Sequence, residues 1–202
     1  IQFSSSNIIN NFYKPETILG ELKKLKLNSR KLKEKCMTSL SKISSLKIAI
    51  IGEIIIDEYI FSREMDKPSK ENIHAVSFLD KEKYLGGVMA IAKNLSEFSN
   101  KIDIFSSGCF NSSETNFIKS IEKECGNIKT YLDHSNFQTI KKSRILDDRK
   151  KKIFEIYNKR GDVKYKESKK FIKILKEKFQ SYDLVILCDF GHGFFNKNIY
   201  DL

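Results

Sequence analysis

The sequence is poor in the features that mark several large classes of protein. Its four cysteines, Cys36, Cys109, Cys125 and Cys188, are widely scattered, with no close pair of the zinc-ligand type. That spacing argues against a metal site and against a disulfide framework, and the residues read as buried or free thiols of a reducing cytoplasm. No apolar run approaches the roughly 20 residues of a bilayer-spanning helix. No signal-peptide pattern opens the chain. Arginine is scarce, and no basic–aromatic motif accompanies the lysines. The net charge of +11 therefore reads as lysine-rich, solvated faces spread along the chain, and neither nucleic acid nor a membrane is an expected partner.

What is present supports a core. Forty per cent of the 202 residues are hydrophobic, with fifteen Phe and eight Tyr. That length suits one sizeable domain, or one domain with part of another. The sequence opens on Ile1 and closes on Leu202 just as a new helix starts, so it reads as a fragment of a longer protein.

Ser4, Ser5 and Ser6 stand before the apolar pair Ile8-Ile9, which suits a helix N-cap or a seat for phosphate at a helix start. From Pro15 to Ser45, Ile18, Leu19, Leu22, Leu25, Leu32 and Leu40 approximate an apolar stripe among lysines, as in a helix connecting two domains. The stretch Lys47 to Ile56 is nearly all β-branched and predicts a strand buried on both faces of a parallel sheet. Asp57 follows it, at the strand's carboxyl end, where open α/β sheets bind ligands; a turn or cap is the alternative. Residues 59–84 alternate short apolar and charged pieces, expected as exposed strands forming a lid, with His74 a surface strand residue.

Tyr84 to Leu95 brings two adjacent glycines, Gly86 and Gly87, against a helical run. Such glycines bare main-chain N–H groups at the positive end of a helix, a seat for an oxygen-rich ligand, or simply make a tight turn. Strands at Ile102 to Gly108 and Ile128 to Leu132 flank a helix from Ser113 to Cys125, the alternation of a layered α/β domain. Thr139 to Leu146 and Lys152 to Tyr157 read as a hairpin-like pair, with Lys142 and Arg144 on one face toward a phosphate or water. A helix over Lys166 to Phe179 points Phe171, Ile174, Leu175 and Phe179 inward. The last strand, Asp183 to Cys188, runs into Asp189-Phe190-Gly191-His192-Gly193, either a site or a glycine-rich turn with a capping Asp.

In this order the pieces resemble the ribokinase-like (phosphofructokinase B) carbohydrate kinases, and most nearly their heptose-phosphate kinase branch. Ile51-Gly52-Glu53-Ile54-Ile55-Ile56-Asp57 resembles the family's first strand, whose aspartate holds sugar hydroxyls. Gly86-Gly87 resembles its Gly-Gly substrate motif, with Asn94 matching an Asn of the following helix. Thr139-Ile140-Lys141-Lys142-Ser143-Arg144 resembles the branch's Thr-x-x-Lys-x-Arg strand, and Leu187 to Gly193 its Ser-Asp-Tyr-x-Lys-Gly segment. Two positions depart: Ala90 stands where the family commonly has a sugar-binding Asn, and His192 where it has a lysine. The serines at 4–6 resemble the closing motif of cytidylyltransferase-like nucleotidyltransferases.

The resemblance implies a layered, parallel-sheet ribokinase-like α/β fold with a small β lid, of which this is the N-terminal part. It implies a nucleotidyltransferase tail at 1–14, a helical connector at 15–46 and the substrate part of a sugar kinase at 47–202, with the lid at about 59–84. The activity implied is transfer of the γ-phosphate of ATP, with Mg²⁺, to a sugar or sugar phosphate in a cytoplasmic bifunctional enzyme that dimerises through its lid. A non-catalytic sugar- or nucleotide-binding module of the same fold is the alternative. Asp57, Gly86, Gly87, Asn94, Lys142 and Arg144 would bind substrate, Asp189 and His192 would line the phosphate side of the cleft, and no metal ligand is assigned. The catalytic base, an aspartate of a Gly-Ala-Gly-Asp motif, is expected beyond Leu202.

Overall fold

The β-branched run after Lys47 forms two strands, not one, and they belong to different sheets. The computed structural model describes residues 29–65, 75–134, 137–158 and 165–201. The chain divides into two compact units, Ile1–Ser44 and Ser45–Leu202. Of the first, the described part is helix α1, Ser29–Ser44, with Leu32 and Leu40 exposed. The serines at 4–6, residues 15–28 and His74 lie outside the described residues.

The second unit runs β1 Lys47–Gly52, β2 Ile54–Glu64, β3 Val76–Gly87, α2 Val88–Ser96, β4 Lys101–Ser107, α3 Ser112–Cys125, β5 Ile128–Asp133, β6 Ile140–Leu146, β7 Lys152–Asn158, α4 Lys169–Phe179, β8 Leu184–Cys188 and α5 Lys197–Tyr200. A wholly parallel sheet in the order β5-β4-β1-β8 carries its core. Its strand β1 is covered on both faces because both of its side-chain rows are apolar. Ile48 and Ile50 pack with Val88, Met89 and Ala92 of α2 and Ile118 of α3. Ala49 and Ile51 point the other way, toward Phe105, Phe171 and Leu175 of α4, and Phe194. The expected α/β layering is thus present, with α4 burying Phe171 and Leu175 as its periodicity required.

Phe105 is fully buried and stacks on Tyr131 with ring centroids 4.9 Å apart. Phe105→Ala should cost about 3–5 kcal/mol, the usual penalty for emptying a buried aromatic site. Denaturant unfolding of the intact protein checks this, and a loss below about 1 kcal/mol would show that the site collapses or is hydrated.

A second, four-stranded sheet has the order β3-β2-β6-β7. β3 pairs antiparallel with β2, β2 parallel with β6, and β6 antiparallel with β7. Most of β3 is exposed, as expected of a lid strand. The sheet reaches beyond residues 59–84, the span expected for a lid. The pair expected as a separate hairpin completes it, because Ile140 to Leu146 align with Ile55 to Phe61.

This corrects the placement of Asp57. It lies inside β2, in the lid sheet, and not at the carboxyl end of a core strand. The break comes at Glu53, where the chain leaves the parallel sheet after Gly52 and enters β2 at Ile54. A run of apolar residues conceals such a crossing, since the positions on either side of it are all buried.

Candidate functional site

Strand periodicity places two rows of polar side chains on one face of the lid sheet. Tyr84, Asp57, Lys142 and Tyr157 lie directly opposite one another across β3, β2, β6 and β7. Two residues along, and so on the same face, Glu82, Tyr59, Arg144 and Glu155 form the next row. Lys142 and Arg144 do share a face, as their spacing requires, and Asp57 shares it with them.

The carboxylate of Asp57 is held from two sides. Arg144 donates from Nη1 to Oδ1 at 2.6 Å, both side chains being about one-fifth exposed. A Cβ on Gly86 would stand 2.5 Å from Oδ2, so glycine is what lets this oxygen sit against the β3 backbone. The guanidinium also lies 3.3 Å from Glu155 through Nε and 5.2 Å from the Tyr59 ring. Partial burial disfavours its charge, but the hydrogen bond and charge of Asp57 outweigh this and raise its pKa. Lys142 sits 5.4 Å over the Tyr157 ring. The face thus offers carboxylate acceptors, cationic donors and aromatic edges together, the mixture that suits a polyol or a sugar phosphate.

Glu155 anchors the outer end of this network. Hydrogen bonds from Lys152 and Tyr157, aided by the charge of Arg144, lower its pKa from 4.5 to about 2. A carboxyl depressed on folding stabilises the fold fully above its ordinary value and loses that contribution as pH falls toward the folded one. Glu155→Gln should therefore flatten the fall of Tm between about pH 4.5 and about pH 2 relative to the unaltered protein. Identical Tm–pH curves would contradict the network.

The opposite face carries an ion cluster around Glu58. Glu58 is buried, receives Lys81 at 2.9 Å and the Ser143 hydroxyl at 2.8 Å, and lies 3.9 Å from Lys141. Burial pushes its carboxyl up, but these partners more than offset that and hold it low. Lys141 also reaches Glu114 of α3 at 3.2 Å.

The second part of the site is built at the carboxyl end of β1. Gly87 is the N-cap of α2 with φ of 60°, and no side chain caps the helix. The first helical N–H, from Val88, donates to the Glu53 carbonyl at 3.0 Å. That amide is therefore occupied, which narrows the expected anion seat to the remaining amides of the helix's first turn. Beyond β8, Asp189 accepts a hydrogen bond from the Gly191 amide at 2.8 Å, and the Tyr200 hydroxyl donates to it at 3.4 Å. A capping aspartate in a glycine-rich turn is thus realised there, with Asp189 exposed. The His192 amide donates to the Glu53 carboxylate at 3.2 Å. Asn94 is not drawn into the cluster: its exposed side chain donates to the Ala90 carbonyl within its own helix.

Sequence reasoning missed Glu53. It is 1% exposed, and its carboxylate receives the amides of Phe190, His192 and Phe194. The available signal was a lone charge within an apolar run, which burial forces to find partners. Among the described residues no group of three or more His, Cys, Asp or Glu could hold a metal ion. None of the described helices is long and apolar enough to cross a membrane.

Of the motif residues on which the resemblance to ribokinase-like carbohydrate kinases rests, the structure brings Asp57, Gly86 and Arg144 together. Over 154 residues the chain is 26% identical to the bifunctional protein HldE of a Nitratiruptor species, covering 76% of this chain and 33% of that protein. It is 26% identical over 148 residues to HldE of Aliarcobacter butzleri, covering 72% and 31%. The chain therefore spans about a third of the length of these curated relatives. No protein-family model matches it. Among solved structures, a ribokinase from Giardia lamblia aligns with a TM-score of 0.48 at 17% identity, covering 71% of this chain and 44% of that one. A carbohydrate kinase from Agrobacterium tumefaciens gives 0.47 at 15% identity, covering 70% and 45%.

Proposed function

We propose that the intact protein is an ATP-dependent sugar kinase, and that this part of it recognises the sugar. The observation that carries the reading is Asp57, seated against Gly86 with one oxygen on Arg144. On this reading Oδ2 accepts from a sugar hydroxyl, while Arg144 and Lys142 supply positive charge for a phosphate on the same substrate. Heptose phosphate is the favoured acceptor, on the strength of the Thr139-to-Arg144 strand and its resemblance to the heptose-phosphate kinase branch. A bifunctional context is supported by the name both relatives carry, and a nucleotidyltransferase preceding residue 15 by the resemblance of the serines at 4–6.

In this mechanism the γ-phosphate of ATP passes to the acceptor hydroxyl, the hydroxyl proton goes to the general base and ADP leaves; Mg²⁺, when bound, would shield the phosphate charge. Asp57 and the Gly86-Gly87 backbone orient the acceptor hydroxyl. Asp189 and His192 line the far side of the cleft. The general base is assigned to a Gly-Ala-Gly-Asp segment outside this sequence. Dimerisation through the exposed lid strand β3 belongs to the same proposal. ADP release by the intact protein, measured with ribose, fructose 6-phosphate and heptose 7-phosphate as acceptors, tests the reading. Sugar-dependent turnover supports it; sugar binding without turnover would favour a non-catalytic module of the same fold.

A further inference from the structure

We propose that Glu53 is the positioning residue that fixes the Asp189–His192 turn against the start of α2, and so sets the separation of the two walls of the sugar site; this rests on the sugar-site reading above. Its main chain and its side chain act on different walls. The carbonyl takes the Val88 amide at 3.0 Å, fixing where α2 begins. The carboxylate takes Phe190 through Oε2 at 2.9 Å, and His192 and Phe194 through Oε1 at 3.2 and 3.3 Å. These are alternate residues of one turn, whose intervening glycines Gly191 and Gly193 have φ of 73° and 89°. With those two residues folded to positive φ, three amides converge on one buried carboxylate.

No ladder or helix partner is available to these amides, because the turn lies outside both sheets and before α5. Main-chain N–H bonds to a carboxylate are stronger than bonds to a neutral acceptor, so the charge itself holds the turn closed. The other side of the crossing is pinned as well, by the Ile54 amide donating to the buried Ser106 hydroxyl at 3.2 Å. Cys188, at the end of β8, registers the buried charge: burial first, and then the Glu53 carboxylate, push its thiol pKa up. All three amides on the carboxylate come from residues 190–194, and the Val88 amide sits on the carbonyl, so both ends of the residue bear on the two walls.

Hydrogen exchange by mass spectrometry on the intact protein tests this. In the unaltered protein, a peptide covering 189–195 should exchange at least about 100-fold slower than unprotected chain, despite its exposed loop setting. Glu53→Gln should speed that peptide at least about 10-fold and leave 101–107 of β4 unchanged, with Glu53→Asp restoring part of the protection. With ribose, fructose 6-phosphate and heptose 7-phosphate as probe acceptors, the KM of whichever sugar turns over should rise at least about 10-fold in Glu53→Gln, while the KM for ATP stays within about twofold. An unprotected 189–195 peptide in the unaltered protein overturns the proposal, however the variants fold. So does equal loosening of β4, or an equal rise in both KM values. If no probe sugar is phosphorylated by the unaltered protein, the sugar reading fails on its own, and the exchange data still decide whether Glu53 holds the turn.

Discussion

Asp57→Ala in the intact protein is expected to lower kcat/KM for the sugar by about 100-fold, chiefly by raising the sugar KM, with the KM for ATP unchanged. A hydrogen bond from a hydroxyl to a carboxylate is worth about 1.5–3 kcal/mol, and about 1.4 kcal/mol is a factor of ten, so losing one or two such bonds accounts for the effect. The substitution also strips Arg144 of its 2.6 Å partner, although Glu155 remains 3.3 Å away and keeps the guanidinium paired. Stability should therefore change less than binding. Asp57→Asn, which preserves shape and one acceptor oxygen, should recover part of the loss. A sugar KM unaltered by Asp57→Ala would remove this residue from the site.

Gly87→Ala carries the second large expected effect, and here the fold suffers with the site. Gly87 has φ of 60°, and a Cβ built there would stand 2.1 Å from the Glu53 carbonyl oxygen. That oxygen is the acceptor for the first amide of α2, so it cannot retreat without releasing Val88. Positive-φ strain of about 1–3 kcal/mol adds to an overlap with backbone, for an expected loss of about 3 kcal/mol or more. Thermal unfolding should show a Tm lower by several degrees. Gly126→Ala is the control: its φ is 73° but nothing lies within 4 Å of a Cβ there, so only the conformational strain remains. Equal losses at the two positions would mean that the contact with Glu53 contributes nothing.

Much of the fold was legible because its signals are local. The β-branched run of β1, the apolar run of β8 and the apolar stripe of α4 each name their own element. The crossing at Glu53 was marked only by Gly52-Glu53, and the apolar residues on its two sides are buried alike, so nothing local assigns them to different sheets. Nor did the order of residues reveal that β6 would pair in parallel with β2, a contact between strands distant in the chain. At the site, the sharing of one face by Lys142 and Arg144 follows from strand period alone. Their pairing with Asp57 and Tyr157 depends on register, which long-range strand pairing sets. Asn94 was chosen by its match to a motif, and its side chain bonds the nearest carbonyl of its own helix. For Asp189, the alternative weighed from its glycine neighbours, a capping aspartate, is what the turn contains.

The measurement that bears most directly on the sugar-kinase reading is phosphorus NMR of the intact protein incubated with ATP, Mg²⁺ and each probe sugar in turn. A new phosphate-ester resonance that appears with ADP, requires the sugar, and diminishes strongly with Asp57→Ala is the expected result. ATP that stays intact with every sugar, or that yields only inorganic phosphate at a rate indifferent to sugar and to Asp57, would contradict it.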